Sequence, residues 1–257
     1  MNFKTLLVSI FLCNLTINVF AQSAENVQTL KQANNPLASI KTFNVHNYYS
    51  NRLYGNEESM NTMWFRYAQP VGHVLLRASL PVNTFPMAEG KYKSGLGDLN
   101  VLAAYLFTKP TSKNQLGLGP VVTVPTATSD ALGAGKWQAG VAFAGYFAGN
   151  NILQLGFLST WQHSFAGDDD RTDAQVFTFQ PFLMWQLGKG LYMRSTGIMS
   201  FDLENDNYCV PLGLGIGKIL KRDKLVFNLF MEPQFTVWHK GNNIPKTQLF
   251  IGINTQF

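Results

Sequence analysis

The chain has 257 residues, 46% of them hydrophobic and only 14% Asp, Glu, Lys or Arg. Soluble domains average about 25% charged residues, and disorder needs low hydrophobicity with high charge, so a disordered chain is excluded and an ordinary water-facing surface is disfavoured. The net charge of +5 is small and scattered, which argues against nucleic acid as a partner, and two cysteines are too few for a disulfide-stapled scaffold.

Residues 1–21 read as a secretory signal peptide. Lys4 supplies the basic start, Leu6 to Leu12 the apolar stretch, and Val19-Phe20-Ala21 a small-residue cleavage site. Asn14 and Asn18 interrupt the apolar run before it reaches the roughly 18 residues of a spanning helix. Cys13 leaves with the signal, so Cys209 is the mature cysteine.

Beyond the signal the recurring pattern has period two, the mark of strands with one apolar face. Twelve such segments are expected, at 40–50, 62–71, 73–83, 96–108, 114–126, 137–147, 152–163, 174–187, 191–202, 207–219, 224–238 and 247–257. The first is the least regular, because Asn47 breaks its alternation; were it an arm, ten strands would be the alternative. The clearest is 225–237, where Leu225, Phe227, Leu229, Met231, Phe235 and Val237 alternate with residues such as Asn228, Glu232 and Gln234. Most segments run to ten or more residues, whereas globular strands run to roughly 5–6 and a tilted membrane strand needs about 9–11.

Alternate connections are short, as at Gly72 and at Gly188 to Gly190. The others are longer and more polar, except Leu203 to Asp206. Outer-membrane barrels have short periplasmic turns and longer outer loops. The expected fold is therefore an all-β, transmembrane, antiparallel up-and-down barrel of about 12 strands with periplasmic termini. Residues 22–39 form a periplasmic lead and residues 40–257 the barrel. Closure follows from physics, because an open sheet edge in lipid leaves backbone groups unsatisfied. A soluble sandwich or lipocalin-like barrel is the rival, with polar faces outward and shorter strands.

Turning the polar parity inward places Arg66, Arg77 and Arg194 in the lumen with Asp98, Asp202 and Glu232, three arginines facing three carboxylates among amides and hydroxyls. No single-sign ring is visible that would predict ion selectivity. Gly213, Gly215 and Gly217 face inward at period two, a row of small groups with room beside it. The tryptophans sit near strand ends, as interfacial girdles do. Trp64 and Trp238 point inward by strict parity and are candidates for lining a mouth. Leu249, Ile251, Ile253 and the terminal Phe257 form an outward pattern of the kind that barrel-assembly machinery reads.

No metal site is expected: Asp168-Asp169-Asp170 lacks the alternating ligands and distal Glu of a calcium loop. That loop reads as a solvated segment facing lipopolysaccharide. No cofactor and no catalysis are expected either. His163 and Ser164 are adjacent and so point to opposite faces of a strand, and neither a Gly-x-Ser-x-Gly nor a His-Glu-x-x-His motif occurs.

Several segments together resemble one bacterial family. They are Gly95-Leu96-Gly97-Asp98, Gly119-Pro120, the run from Pro125 through Asp130 to Trp137, Ser164 to Arg171, Gln180-Pro181, and Val210-Pro211-Leu212-Gly213. Over about 40–257 the chain resembles the family of outer-membrane proteins named for the MetA pathway of phenol degradation. The resemblance implies an outer-membrane barrel transporter, without carrying phenol over as the solute. The functional expectation is a passive channel or transporter for small solutes, apolar or aromatic ones included. The alternative is a closed structural barrel that makes contacts through outer loops such as 84–95 and 164–173.

Overall fold

The computed structural model describes residues 32–109, 112–149 and 152–257. The signal segment, and the first part of the lead, lie outside the described residues. No helix among those described is long and apolar enough to cross a membrane.

Twelve antiparallel strands form the wall. They are β1 (Thr42–Leu53), β2 (Met60–Val71), β3 (Val74–Pro86), β4 (Tyr92–Leu96 and Leu99–Leu106), β5 (Asn114–Val124) and β6 (Lys136–Phe147). The second half comprises β7 (Leu153–Gly167), β8 (Gln175–Gly188), β9 (Leu191–Ser195 and Met199–Asp202), β10 (Asn207–Gly213 and Gly215–Arg222), β11 (Leu225–Lys240) and β12 (Pro245–Gln256). Each pairs with the next, and β12 pairs with β1 through Thr42↔Gln256 and Val45↔Ile253, which closes the sheet. The first segment is a full strand, paired on both sides despite Asn47, so the ten-strand alternative falls. Closure removes the free edges of an open sheet; the Tyr92–Leu96 part of β4 pairs on one side, with β3.

The alternation sorts side chains as the period-two rule demands. On β11 Leu225, Leu229, Met231, Phe235 and Val237 are exposed, while Val226, Asn228, Phe230, Glu232 and Gln234 are buried. Apolar residues on the outside and amides within reverse the layout of a water-soluble sheet. The turns at one end are tight. Gly188, Lys189 and Gly190 all take positive φ, as does Asp223 in the next turn at that end, the conformation that two- and three-residue hairpins require.

The row Gly213, Gly215 and Gly217 has a specific consequence on β10. Opposite it stand Gln234 and Phe230 of β11 on one side and Arg194 and Tyr192 of β9 on the other. Without side chains in between, residues of β9 and β11 meet across the intervening strand. Tyr192 donates its hydroxyl to Asn228 Oδ1 at 2.6 Å, passing over Gly217, where a Cβ would lie 2.2 Å from the ring. Glu232 likewise crosses Gly213 and Gly215 to reach Arg194 and Thr196. The room that the sequence suggested beside these glycines is filled by large side chains.

Residues 32–39 fold into the short-turn end of the barrel. Leu37 packs among Ala68, Leu75, Leu106 and Ala144, and Ala33 packs against Met184, Tyr192, Ile219 and Val226. Asn35 donates to Gln115 Oε1 at 2.9 Å, and Asn34 Oδ1 accepts from Asn228 at 2.9 Å. Gln256 donates to the Gln32 carbonyl at 3.2 Å. These partners come from both halves of the barrel, so the segment spans its interior. Paired asparagines suit the task, since each carries donors and an acceptor toward amide-lined walls.

Candidate functional site

Above this segment the lumen holds a cavity of about 350 Å³, near the lower end of the roughly 300–1,000 Å³ of ligand pockets. Its polar lining includes Arg66, Arg77, Arg194, His46, Asn100 and Gln162, interleaved with the aromatic rings of Trp64, Phe230 and Phe250. Among the described residues that line it there is no Asp or Glu. Arg66 Nη1 donates to His46 Nδ1 at 2.5 Å, and His46 Nε2 donates onward to Asn254 Oδ1 at 2.6 Å. This chain follows from the guanidinium having no acceptor, which leaves His46 Nδ1 to accept. The Arg66 guanidinium also lies 4.7 Å from the centre of the Trp64 ring.

Arg194 and Glu232 form a buried pair. Arg194 Nε donates to Glu232 Oε2 at 2.8 Å, and the carboxylate also accepts from Thr196 N at 2.8 Å, Thr196 Oγ1 at 2.7 Å and Gln234 Nε2 at 2.9 Å. The Thr196 amide is available because β9 is interrupted between Ser195 and Met199, so a side-chain oxygen replaces a missing ladder partner. Phe230 covers the Arg194 guanidinium at 3.6 Å.

The expected meeting of three arginines with three carboxylates differs from this geometry. Asp98 sits in the break of β4 and accepts the backbone N–H groups of Ala127 at 3.1 Å and Ala134 at 2.7 Å. Asp202, at the end of β9, accepts from the backbone of Glu204 and Asn205 and closes the short turn there. Asp202 thus binds its local turn and Asp98 the backbone of a distant loop, which takes both away from the lumen arginines. Among the described residues, Arg66 and Arg77 therefore have no carboxylate partner, and the buried Arg77 Nε has no hydrogen-bond partner.

Asp98 belongs to a clasp at the long-loop end. The loop between β5 and β6 carries a short 3-10 turn, Asp130–Leu132, whose buried Leu132 offers its carbonyl to Asn83 Nδ2 at 3.1 Å, an inward residue of β3. Arg171 ties the same loop from the far side, donating to the Asp130 and Gly133 carbonyls at 2.9 and 2.7 Å. Three segments distant in sequence, around Gly95–Asp98, 125–137 and 164–171, thus form one structure that folds this loop into the mouth. Lys136 and Ser164 hydrogen-bond Asp173 beside it and hold its carboxyl below the usual range. Asp98→Ala removes two hydrogen bonds to a charged acceptor, each worth about 1.5 kcal/mol or more. Proteolysis within 126–135 of the reconstituted barrel should speed at least tenfold. An unchanged cleavage rate would mean that Arg171 alone holds the loop.

Trp238 departs from strict parity. The ladder between β10 and β11 slips between Val210 and Pro211, so that Val210 faces Trp238 and Pro211 faces Thr236. One extra residue in a strand turns the following side chain to the other face, and Trp238 emerges 61% exposed, packed edge-on to Tyr208 at 4.9 Å. With Trp137 and Trp161 it is an outward aromatic of the long-loop end, and Trp185 is one of the opposite end. Trp64 lines the cavity. Phe257 is exposed, and its N–H donates to the Lys41 carbonyl at 3.1 Å, beside the start of β1.

His46, Tyr48, Phe230 and Phe250 carry no polar signal of the kind that marks the lumen arginines, although parity alone places Phe230 and Phe250 inward. They form one aromatic cluster, with Tyr48 stacked on Phe250 at 4.1 Å and His46 edge-on to Phe230 at 5.4 Å. Ser164 is buried and donates to Asp173, while His163 is exposed and stacks on Trp161 at 6.4 Å. Among the described residues no group of three His, Cys, Asp or Glu side chains is placed to hold a metal ion.

No family model matches the sequence, and a search of curated proteins finds no match. Solved structures do match in fold. An outer membrane channel from Pseudomonas putida F1 superposes with a TM-score of 0.64 at 12% identity, over 93% of this chain and all of that one. The NanC porin gives 0.55 at 8% identity over 84% of this chain and 98% of its own. The KdgM porin, solved in complex with disordered oligogalacturonate, gives 0.50 at 10% identity over 84% and 99%. At such identities the likeness is one of fold: the chain is a closed, 12-stranded antiparallel β-barrel with the architecture of outer-membrane channels.

Proposed function

We propose that the protein is an outer-membrane channel for small solutes, with periplasmic termini, closed at rest by residues 32–39 at one end and by the loop clasp at the other. The observation that carries this reading is a solute-sized cavity, lined by both polar and apolar side chains, inside a wall whose outer face is apolar. A merely structural barrel of this width has no need of such a space; the interior of smaller barrels is filled by side chains. The fold shared with channels adds support. Membership of the MetA-pathway family belongs to the same proposal, supported by three of its resembling segments meeting in one clasp. So do insertion through the assembly machinery by way of Phe257 and loops that face lipopolysaccharide.

A second reading follows from the two closures: a barrel sealed throughout, working through its outer loops. Single-channel recording of the refolded mature protein in a planar bilayer separates the two. Discrete, reproducible steps are expected. Silence from protein that shows heat-modifiable gel migration would favour the sealed barrel.

A further inference from the structure

Resting on the channel reading above, we propose that the Arg66–Arg77 wall of the lumen is a binding site for a small organic carboxylate with an apolar body.

The site follows from three observations. The first is charge. Arg66 on β2 and Arg77 on β3 face inward on adjacent strands. Arg66 lies opposite Ser79, and Arg77 lies opposite Ala68, which sets the two arginines on a diagonal about 7–8 Å apart at the backbone. Arg194 contributes no free charge, since Glu232 lies behind it. No carboxylate among the described residues lining the cavity offsets the other two. Two like charges in a partly dehydrated space repel and are poorly solvated, and an anion between them relieves both costs.

The second observation is an unused donor. Arg77 Nε is buried and unpartnered, although almost all buried polar groups in folded proteins find a partner. Arg66 by contrast is already oriented by His46 and Trp64. One arginine is thus fixed and the other keeps donors to offer, and the planar fork of a guanidinium fits a carboxylate bidentately.

The third is the apolar surface beside the arginines. Trp64, Phe230 and Phe250 supply apolar area within the same cavity of about 350 Å³. This selects against inorganic anions in favour of a carboxylate that carries an apolar group. The volume admits one small molecule and not a polymer.

Benzoate and its neutral isostere benzamide test the site by calorimetry on the detergent-solubilised full-length mature barrel. Benzoate should bind at least tenfold more tightly than benzamide, and Arg77→Gln should abolish that preference. Equal binding of the two, or no binding of benzoate, overturns the proposal, and this comparison needs only the wild-type protein. In a planar bilayer under a tenfold KCl gradient, the reversal potential should lie on the anion side and move toward zero in Arg77→Gln. Benzoate binding without current would leave the site standing and remove the channel reading. Current without anion preference or benzoate binding would do the reverse.

Discussion

Deleting residues 22–39 is expected to raise the single-channel conductance of the refolded barrel at least severalfold. Residues 32–39 of this segment fill the short-turn end, with Leu37 and Ala33 set against opposite walls and Asn34 and Asn35 bonded to lumen amides. Nothing in the closing ladder depends on it: β1 begins at Thr42, and the pairs from Thr42↔Gln256 onward remain. The Phe257 bond to Lys41 is likewise retained. The deletion should therefore preserve heat-modifiable migration while exposing the cavity to the short-turn end. Such a segment, held by a few amide contacts and two small apolar anchors, belongs to the low-stability end of a fold, where gating elements are drawn from. Conductance unchanged by the deletion would assign the constriction to the clasp between Asp98, loop 126–135 and Arg171 instead.

Glu232→Ala is expected to lower the stability of the barrel by about 3–5 kcal/mol, the usual consequence of leaving one member of a buried ion pair alone. Its two oxygens accept four hydrogen bonds, and its side chain is 0% exposed. Removing it strands the Arg194 charge under Phe230 and the Thr196 amide at the break in β9. Glu232→Gln keeps the shape but sets an amide NH₂ against a cluster of donors, so it should fall between Ala and the wild type. It should also shift selectivity toward anions by unmasking Arg194. Asp202→Ala, at an exposed turn, should cost less than about 1 kcal/mol, in the range of ordinary surface changes. Denaturant midpoints of the four proteins in liposomes check the order. A Glu232→Ala midpoint equal to wild type would show that Arg194 finds another partner or reaches water.

How much of this was legible in the sequence differs between wall and interior. Alternation at 225–237 placed Leu229 and Met231 outside and Asn228 and Glu232 inside, and the twelve segments match the twelve strands nearly to their ends. Arg66, Arg77 and Arg194 reach the cavity as parity requires. Parity failed at Trp238, because a one-residue bulge reverses the faces and carries no composition signal of its own. It also failed to pair the charges. Parity assigns Asp98 and Asp202 to the lumen, but Asp202 binds backbone N–H groups of its own turn and Asp98 those of the distant loop between β5 and β6. The glycine row at 213, 215 and 217 was visible as small groups; its use as a gap through which Glu232 and Tyr192 cross a strand was not.

The sequence by itself determined the strands, their inward and outward faces, the alternation of short and long connections, and hence a closed β-barrel with an apolar outer face. Each of these depends on neighbours along the chain and on the period of two. Only the tertiary structure decided which inward groups meet: Arg194 with Glu232 two strands away, Arg66 with His46, Asn35 with Gln115. Those contacts arise when the closed wall brings distant strands around one lumen, and no local pattern records that distance.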